Sequence, residues 1–191
     1  MISDSELKTL VSNVVRRTMH GGETRTETPL PQVSGSGSGK IVALGADHGG
    51  YKMKEMLKAH IAEAGFDTVD CGAHSAVSVD YPDLALCVAE KINQGKAWRG
   101  IMIDGAGIGS CMTTNKVPGV RAAMCYDYAT AVNSREHNDA NLLTLGAGLL
   151  GDNLVKQIVD VWLATEFGGG RHAKRVDKIT AVEKKYSKTG N

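Results

Sequence analysis

From Lys40 onward the chain alternates short apolar runs with amphipathic stretches, and nothing else in it restricts the fold as tightly. The apolar runs, at 41–46, 67–71, 100–104, 121–126 and 142–146, have the length of strands. Between and after them lie helical patterns at 51–64, 82–94, 110–115, 128–137, 152–165 and 171–184. Strands that alternate with helices need right-handed crossovers, so the strands run parallel and helices cover both faces. The expected architecture is an α/β three-layer sandwich around a five-stranded parallel sheet, occupying residues 40–191.

The first forty residues follow other rules. Leu7, Leu10, Val11, Val14, Val15 and Met19 recur at spacings of three and four, one face of a helix over residues 1–19. Ser3 with Glu6 is a capping-box pattern, and Arg16 and Arg17 suit the carboxyl end of a helix dipole. Residues 20–39, with Gly-Gly, Pro29, Pro31 and Ser-Gly repeats, have the composition of a flexible linker. A net charge of +1 creates no field that would draw nucleic acid, and no apolar run is long enough to span a membrane. Cys71, Cys87, Cys111 and Cys125 lack metal-ligand spacing and read as buried thiols of a reducing cytosol, with no metal site expected.

Ligands of open parallel sheets bind beyond the carboxyl ends of the strands. Asp47, His48, Gly49 and Gly50 fall there after the first strand, 71–75 after the second, Asp104 to Ser110 after the third and Gly146 to Gly148 after the last. In the run Asp104-Gly105-Ala106-Gly107-Ile108-Gly109-Ser110, close-set glycines let backbone N–H groups approach an anion beside a lone carboxylate. On its own the same run would also serve as a tight strand-to-helix turn.

Six motifs then occur in order: Gly45-Ala46-Asp47-His48-Gly49-Gly50, Asp80-Tyr81-Pro82, Gly105-Ala106-Gly107-Ile108-Gly109, Asn115-Lys116-Val117-Pro118-Gly119-Val120-Arg121, Ser134-Arg135-Glu136-His137-Asn138-Asp139 and Gly169-Gly170-Arg171-His172-Ala173-Lys174-Arg175-Val176. Together they resemble the type B ribose-5-phosphate isomerases, a family that also holds the galactose-6-phosphate isomerase subunits. The resemblance covers residues 40–187. It implies a Rossmann-like sandwich and a homodimer or tetramer with active sites shared between subunits. It also implies no cofactor, and aldose–ketose isomerisation of a phosphorylated sugar, ribose 5-phosphate to ribulose 5-phosphate through a cis-enediolate. The N-terminal helix and linker resemble the encapsulation peptides of bacterial microcompartment cargo. That implies a cytoplasmic protein packaged with shell or cargo partners through residues 1–19, the rival being a helix that packs on its own core.

Such a reaction needs a phosphate anchor, a ring-opening acid or base, a base that moves a proton between C1 and C2, and donors for the enediolate oxygen. The resemblance assigns the anchor to Arg171, His172 and Arg175 of the partner subunit, assisted by Arg121; arginine forks match phosphate oxygens. It makes His137 the ring-opening group, with Asn138 binding substrate beside it. Asp47 and His48 would hold sugar hydroxyls, Tyr81 would wall the pocket, and Asp47 could also cap the following helix. Gly105, Ala106, Gly107, Ile108, Gly109 and Ser110 would offer N–H groups to the enediolate.

One departure stands out. Many members of the family carry a cysteine base immediately before the glycine run, and others a glutamate where this chain has Ser110. Here the first position is Asp104, and Cys111, next to the second, has a register that points into the core. Either Asp104 is the base, or the chain is an isomerase-like subunit that binds sugar phosphate or scaffolds cargo with little chemistry. Aspartate also stands at this place in one galactose-6-phosphate isomerase subunit, whose partner carries the cysteine.

Overall fold

The computed structural model describes residues 39–187, so the helix expected at 1–19 and nearly all of the linker lie outside the described residues. Five strands are present: β1 (Ile41–Ala46), β2 (Asp67–Asp70), β3 (Arg99–Asp104), β4 (Ala122–Met124) and β5 (Leu142–Gly146). The helices are α1 (Tyr51–Glu63), α2 (Tyr81–Asn93), α3 (Ile108–Thr114), α4 (Tyr128–Glu136), α5 (Asp152–Ala164) and α6 (Arg171–Tyr186). All strand pairs are parallel, in the order β2-β1-β3-β5-β4. Every residue of β3 and β5 is buried, as the central strands of a sheet covered on both faces must be.

Alternate residues of the strands feed two cores. Val42, Leu44, Ile101, Ile103, Leu143 and Leu145 pack with Leu57 and Ile61 of α1 and with Val155, Ile158, Val159 and Trp162 of α5. Ala43, Met102 and Leu142 meet Ala85, Val88 and Ala89 of α2 on the other face. The element boundaries lie within two residues of the sequence reading. The run at 121–126 shortens to β4, because Arg121 and Tyr126 turn their side chains to polar partners at opposite ends of the strand. The glycine run enters α3 two residues earlier than its apolar pattern indicates.

The amino ends of the strands are fastened by two buried arginines. Arg99 donates to the carbonyls of Trp162 (2.6 Å), Leu163 (3.0 Å) and Thr165 (3.0 Å), satisfying the last turn of α5. Its guanidinium lies 4.0 Å from the Trp98 ring centroid, and burial pulls its pKa down. Arg135 donates to Thr165 (3.2 Å) and to Asp139 (2.9 Å). By contrast α6 has no buried residue. It stands away from the sheet and leaves a groove of about 1080 Å³ between the open edge of β4, α4 and its own apolar stripe of Ile179, Val182 and Tyr186.

Candidate active site

At the carboxyl edge, Asp104 ends β3 with only 5% of its surface exposed. Its Oδ1 accepts from the N–H of Ala106 (2.8 Å) and from that of Gly107. Its Oδ2 accepts from the N–H (3.0 Å) and the hydroxyl (2.5 Å) of Ser110, itself fully buried. Asp104 and Ser110 thus meet although six residues apart. The loop's carbonyls are fixed as well: Tyr126 Oη donates to Ala106 O (2.6 Å) and Thr144 Oγ1 to Gly107 O (2.8 Å). Gly107 adopts φ 77° at the cap of α3, a conformation that costs an L side chain dearly.

Tyr81 opens α2 and leans over this loop, where a Cβ on Gly109 would come 2.5 Å from its ring. Asp47, nine-tenths buried, follows β1 and accepts the N–H of Gly50 through Oδ1 (2.9 Å). Gly50, rather than Asp47, is the N-cap of α1, so Asp47 ties the turn that leads into the helix. His48 is exposed and its Nδ1 lies 3.3 Å from the Val79 N–H. Behind them, fully buried Lys54 reaches both oxygens of Asp70 (2.8 and 2.7 Å). Burial of Asp70 works against its charge, but Lys54, Lys58 and the Gly72 N–H outweigh it and hold the carboxyl down at about 2.

His137 does not belong to that edge. Helix α4 starts beyond the carboxyl end of β4 and runs back, so His137, at its C-cap, lies at the amino edge of the sheet. The N–H of Asn141, just before β5, binds the carbonyl of Arg121, just before β4 (3.0 Å). Arg121 in turn pairs with Asp139 at 2.8 Å. The chain returns here after α5, Gly168 N–H binding Glu136 O at 2.9 Å, and α6 begins. The rings of His137 and His172 stack with centroids 4.1 Å apart and planes 4° from parallel. Burial first, then the nearby His137, Arg171 and Arg175, lowers the pKa of His172. Its Nδ1 is shielded from solvent and meets no hydrogen-bond partner.

The predicted residues therefore gather in two groups. Asp47, His48, Tyr81 and Asp104 to Ser110 share the carboxyl edge, whereas Arg121, His137, Asn138, Arg171, His172 and Arg175 share the other. At ~3.3 Å per residue the strands hold these groups roughly 13 Å or more apart. Histidine 137 goes with the arginines, a grouping that the sequence reading did not make. The loop's N–H groups also differ from expectation: those of Ala106, Gly107 and Ser110 point at Asp104, which leaves Ile108 and Gly109 among the donors of that turn. Cys111 is half-buried, with its thiol 3.6 Å from Ala122 O, and does not enter the core, whereas Cys87, half-buried on α2, packs against the second core. Tyr126, Thr144 and Lys54 escaped the sequence reading, although Tyr126 closes a strand-like run at the carboxyl edge, where ligands gather.

A glycine loop at one strand end, polar side chains beside it and a cationic cluster on α6 frame the site of this α/β domain. Residues 42–179 match the Ribose/Galactose Isomerase family, and the chain belongs to that family. It is 41% identical over 146 residues to ribose-5-phosphate isomerase B of Escherichia coli, covering 76% of this chain and 98% of that one. It is 38% identical to D-erythrulose-4-phosphate isomerase of Pectobacterium atrosepticum over 74% of this chain and 94% of the relative. The solved ribose-5-phosphate isomerase B of Clostridium thermocellum superposes with TM-score 0.76 at 50% identity, covering 77% and 99% of the two chains. Membership makes this chain an aldose–ketose isomerase. Among the described residues no helix is long and apolar enough to cross a membrane.

Proposed function

We propose that the chain interconverts ribose 5-phosphate and ribulose 5-phosphate as a homodimer whose active sites each combine the carboxyl edge of one subunit with the amino edge of the other. The observation that carries this reading is the division of the chemistry. Glycine-loop donors and hydroxyl-binding groups stand at one end of the sheet, and His137, His172, Arg171 and Arg175 at the other. One chain cannot bring both ends to one pentose phosphate. A second copy seated in the groove beneath α6 would cover Ile179, Val182 and Tyr186, which are 48%, 59% and 72% exposed.

In that site Arg171 and Arg175, one turn apart on α6, hold the phosphate, with Arg121 nearby. His137 passes the ring-oxygen proton, Asn138 and His48 hold hydroxyls, and a carboxylate at the carboxyl edge moves the proton between C1 and C2. The test is a coupled assay of the full chain on a panel of pentose, tetrose and hexose phosphates, with mass measured by light scattering. Turnover highest on ribose 5-phosphate by a dimer supports the reading, and a monomer with full activity overturns the shared site. Binding of every sugar phosphate with almost no turnover would favour the second reading, a weakly catalytic binding subunit, for which the fully engaged Asp104 speaks.

Residues 1–19 serve as a targeting helix that brings the enzyme into a bacterial microcompartment, by docking an apolar face on a shell or cargo protein. The support is the amphipathic pattern and the polar linker after it. Deletion of residues 1–39 is expected to leave turnover intact and abolish co-purification with shells; turnover that collapses on deletion rules this out.

A further inference from the structure

Two carboxylates end neighbouring strands at the carboxyl edge, and they are not equivalent. The last register pair of β1 and β3 is Ala46 with Ile103, and the Asp47 N–H binds Ile103 O at 3.0 Å. Asp47 and Asp104 are therefore the next residues along two adjacent parallel strands. Asp104 receives four donors, all from its own glycine loop, two on each oxygen. Asp47 receives one side-chain bond, from the Gly50 N–H to Oδ1, and no donor among the described residues meets its Oδ2.

From this asymmetry we infer that Asp104 is a positioning residue, the built-in anion around which the glycine loop is folded, and that Asp47 is the base that moves the proton. The inference rests on the isomerase reading above. A base must present an unengaged lone pair to a carbon-bound proton, and each donor given to Asp104 removes one. The same four bonds explain the loop's shape. A buried carboxylate without partners is costly, so Ala106, Gly107 and Ser110 turn their N–H groups inward to it. Asp47 is also largely out of water, and its one bond to the turn before α1 fixes the orientation of its carboxyl group while Oδ2 stays open.

In the forward step Asp47 Oδ2 takes the proton from C2 of the open-chain aldose. The C2–H electron pair becomes the C1=C2 double bond, and the carbonyl π pair moves onto O1 as the enediolate oxygen. The C2 hydroxyl then gives its proton to O1, its O–H pair forms the C2 carbonyl, and the C1=C2 pair takes the proton back from the Asp47 carboxyl at C1, giving the ketose and restoring the carboxylate. No oxidant or further reactant is needed.

The test compares Asp47→Asn and Asp104→Asn in the full-length dimer by kinetics on ribose 5-phosphate and by amide hydrogen exchange. For Asp47→Asn the expected result is a kcat loss of about 10²–10⁴-fold with KM little changed, the usual worth of a positioned base. Asp104→Asn should retain kcat to within about tenfold, raise KM, and speed exchange at the amides of Ala106, Gly107 and Ser110, with Asp104→Ser repeating the result. The reverse ranking of kcat, or unchanged exchange at those amides, overturns the assignment. If the wild-type chain turns over no sugar phosphate, the isomerase reading falls and takes the Asp47 role with it. The exchange data then still decide whether Asp104 braces the loop.

Discussion

The two ends of the sheet are built from opposite materials. At the carboxyl edge the chemistry is mostly backbone: N–H groups turned by glycines around Asp104, with Lys54 and Asp70 fixing the turn behind. At the amino edge it is side-chain cation and aromatic ring, with Arg99 and Arg135 buried beneath and His137, His172, Arg171 and Arg175 above. The difference is the one that the proposed site, shared between two subunits, would use. Backbone dipoles suit an oxyanion that exists only in passing, because they are fixed in place before the charge appears. A phosphate dianion is present throughout and is better met by flexible guanidinium forks on a helix that reaches outward.

The largest expected effect comes from separating the two ends genetically. Asp47→Asn disables the carboxyl edge and Arg171→Ala the amino edge, and each variant alone should lose about a hundredfold or more in kcat/KM. Mixed and allowed to exchange subunits, they should recover about a quarter of wild-type activity, since about half the dimers are hybrids with one intact site each. No recovery would mean that both edges of a single chain serve the same site, and the comparison would be broken. His172→Gln in place of Arg171→Ala should cost less, because the lowered pKa of His172 leaves the arginines to carry the phosphate's charge.

The next effect sharpens what holds each end. Arg99→Met keeps the apolar stem but leaves the carbonyls of Trp162, Leu163 and Thr165 without their donor. The expected loss is about 2–4 kcal/mol of stability, read as a lower urea midpoint with an unchanged slope. Exchange should quicken at 162–168 and not in the glycine loop. Stability equal to wild type would show that water replaces the guanidinium at no cost.

The sequence carried the fold almost entirely, because buried parallel strands write themselves as unbroken apolar runs such as Ile101-Met102-Ile103 and Leu142-Leu143. It also supplied the candidate site residues, through motifs that are local in sequence. What it could not carry was distance across the sheet. His137 and Asp47 look alike as polar residues near element ends, and only the direction of α4 reveals that they stand at opposite edges. Nor could it show that Asp104 spends its lone pairs on its own loop, since Ser110 and Ala106 look as available to a ligand as to a neighbour.

The smallest effect separates the two ends by acid. The buried cation of the carboxyl edge leans on a carboxylate, whereas that of the amino edge leans mainly on carbonyls that do not titrate. Asp70 has its folded pKa lowered to about 2 from an ordinary value near 3.8. A depressed carboxyl pKa means that the unfolded chain binds the proton more readily. Stability from Asp70 is therefore full above about pH 4 and disappears as pH falls towards 2, an amount of about 1–2 kcal/mol. The Thr130 N–H and hydroxyl also lower the pKa of Asp127 in its capping box, so the quantity to measure is a difference between two curves. Urea midpoints of wild type and Asp70→Asn should differ by a constant amount above pH 4 and converge by pH 2. Exchange at 71–75 should rise in that window while 162–168 stays protected by Arg99. Parallel curves down to pH 2 would mean that Lys54 draws its compensation from Glu55, 2.7 Å away, and that the acid sensitivity of the carboxyl edge lies elsewhere.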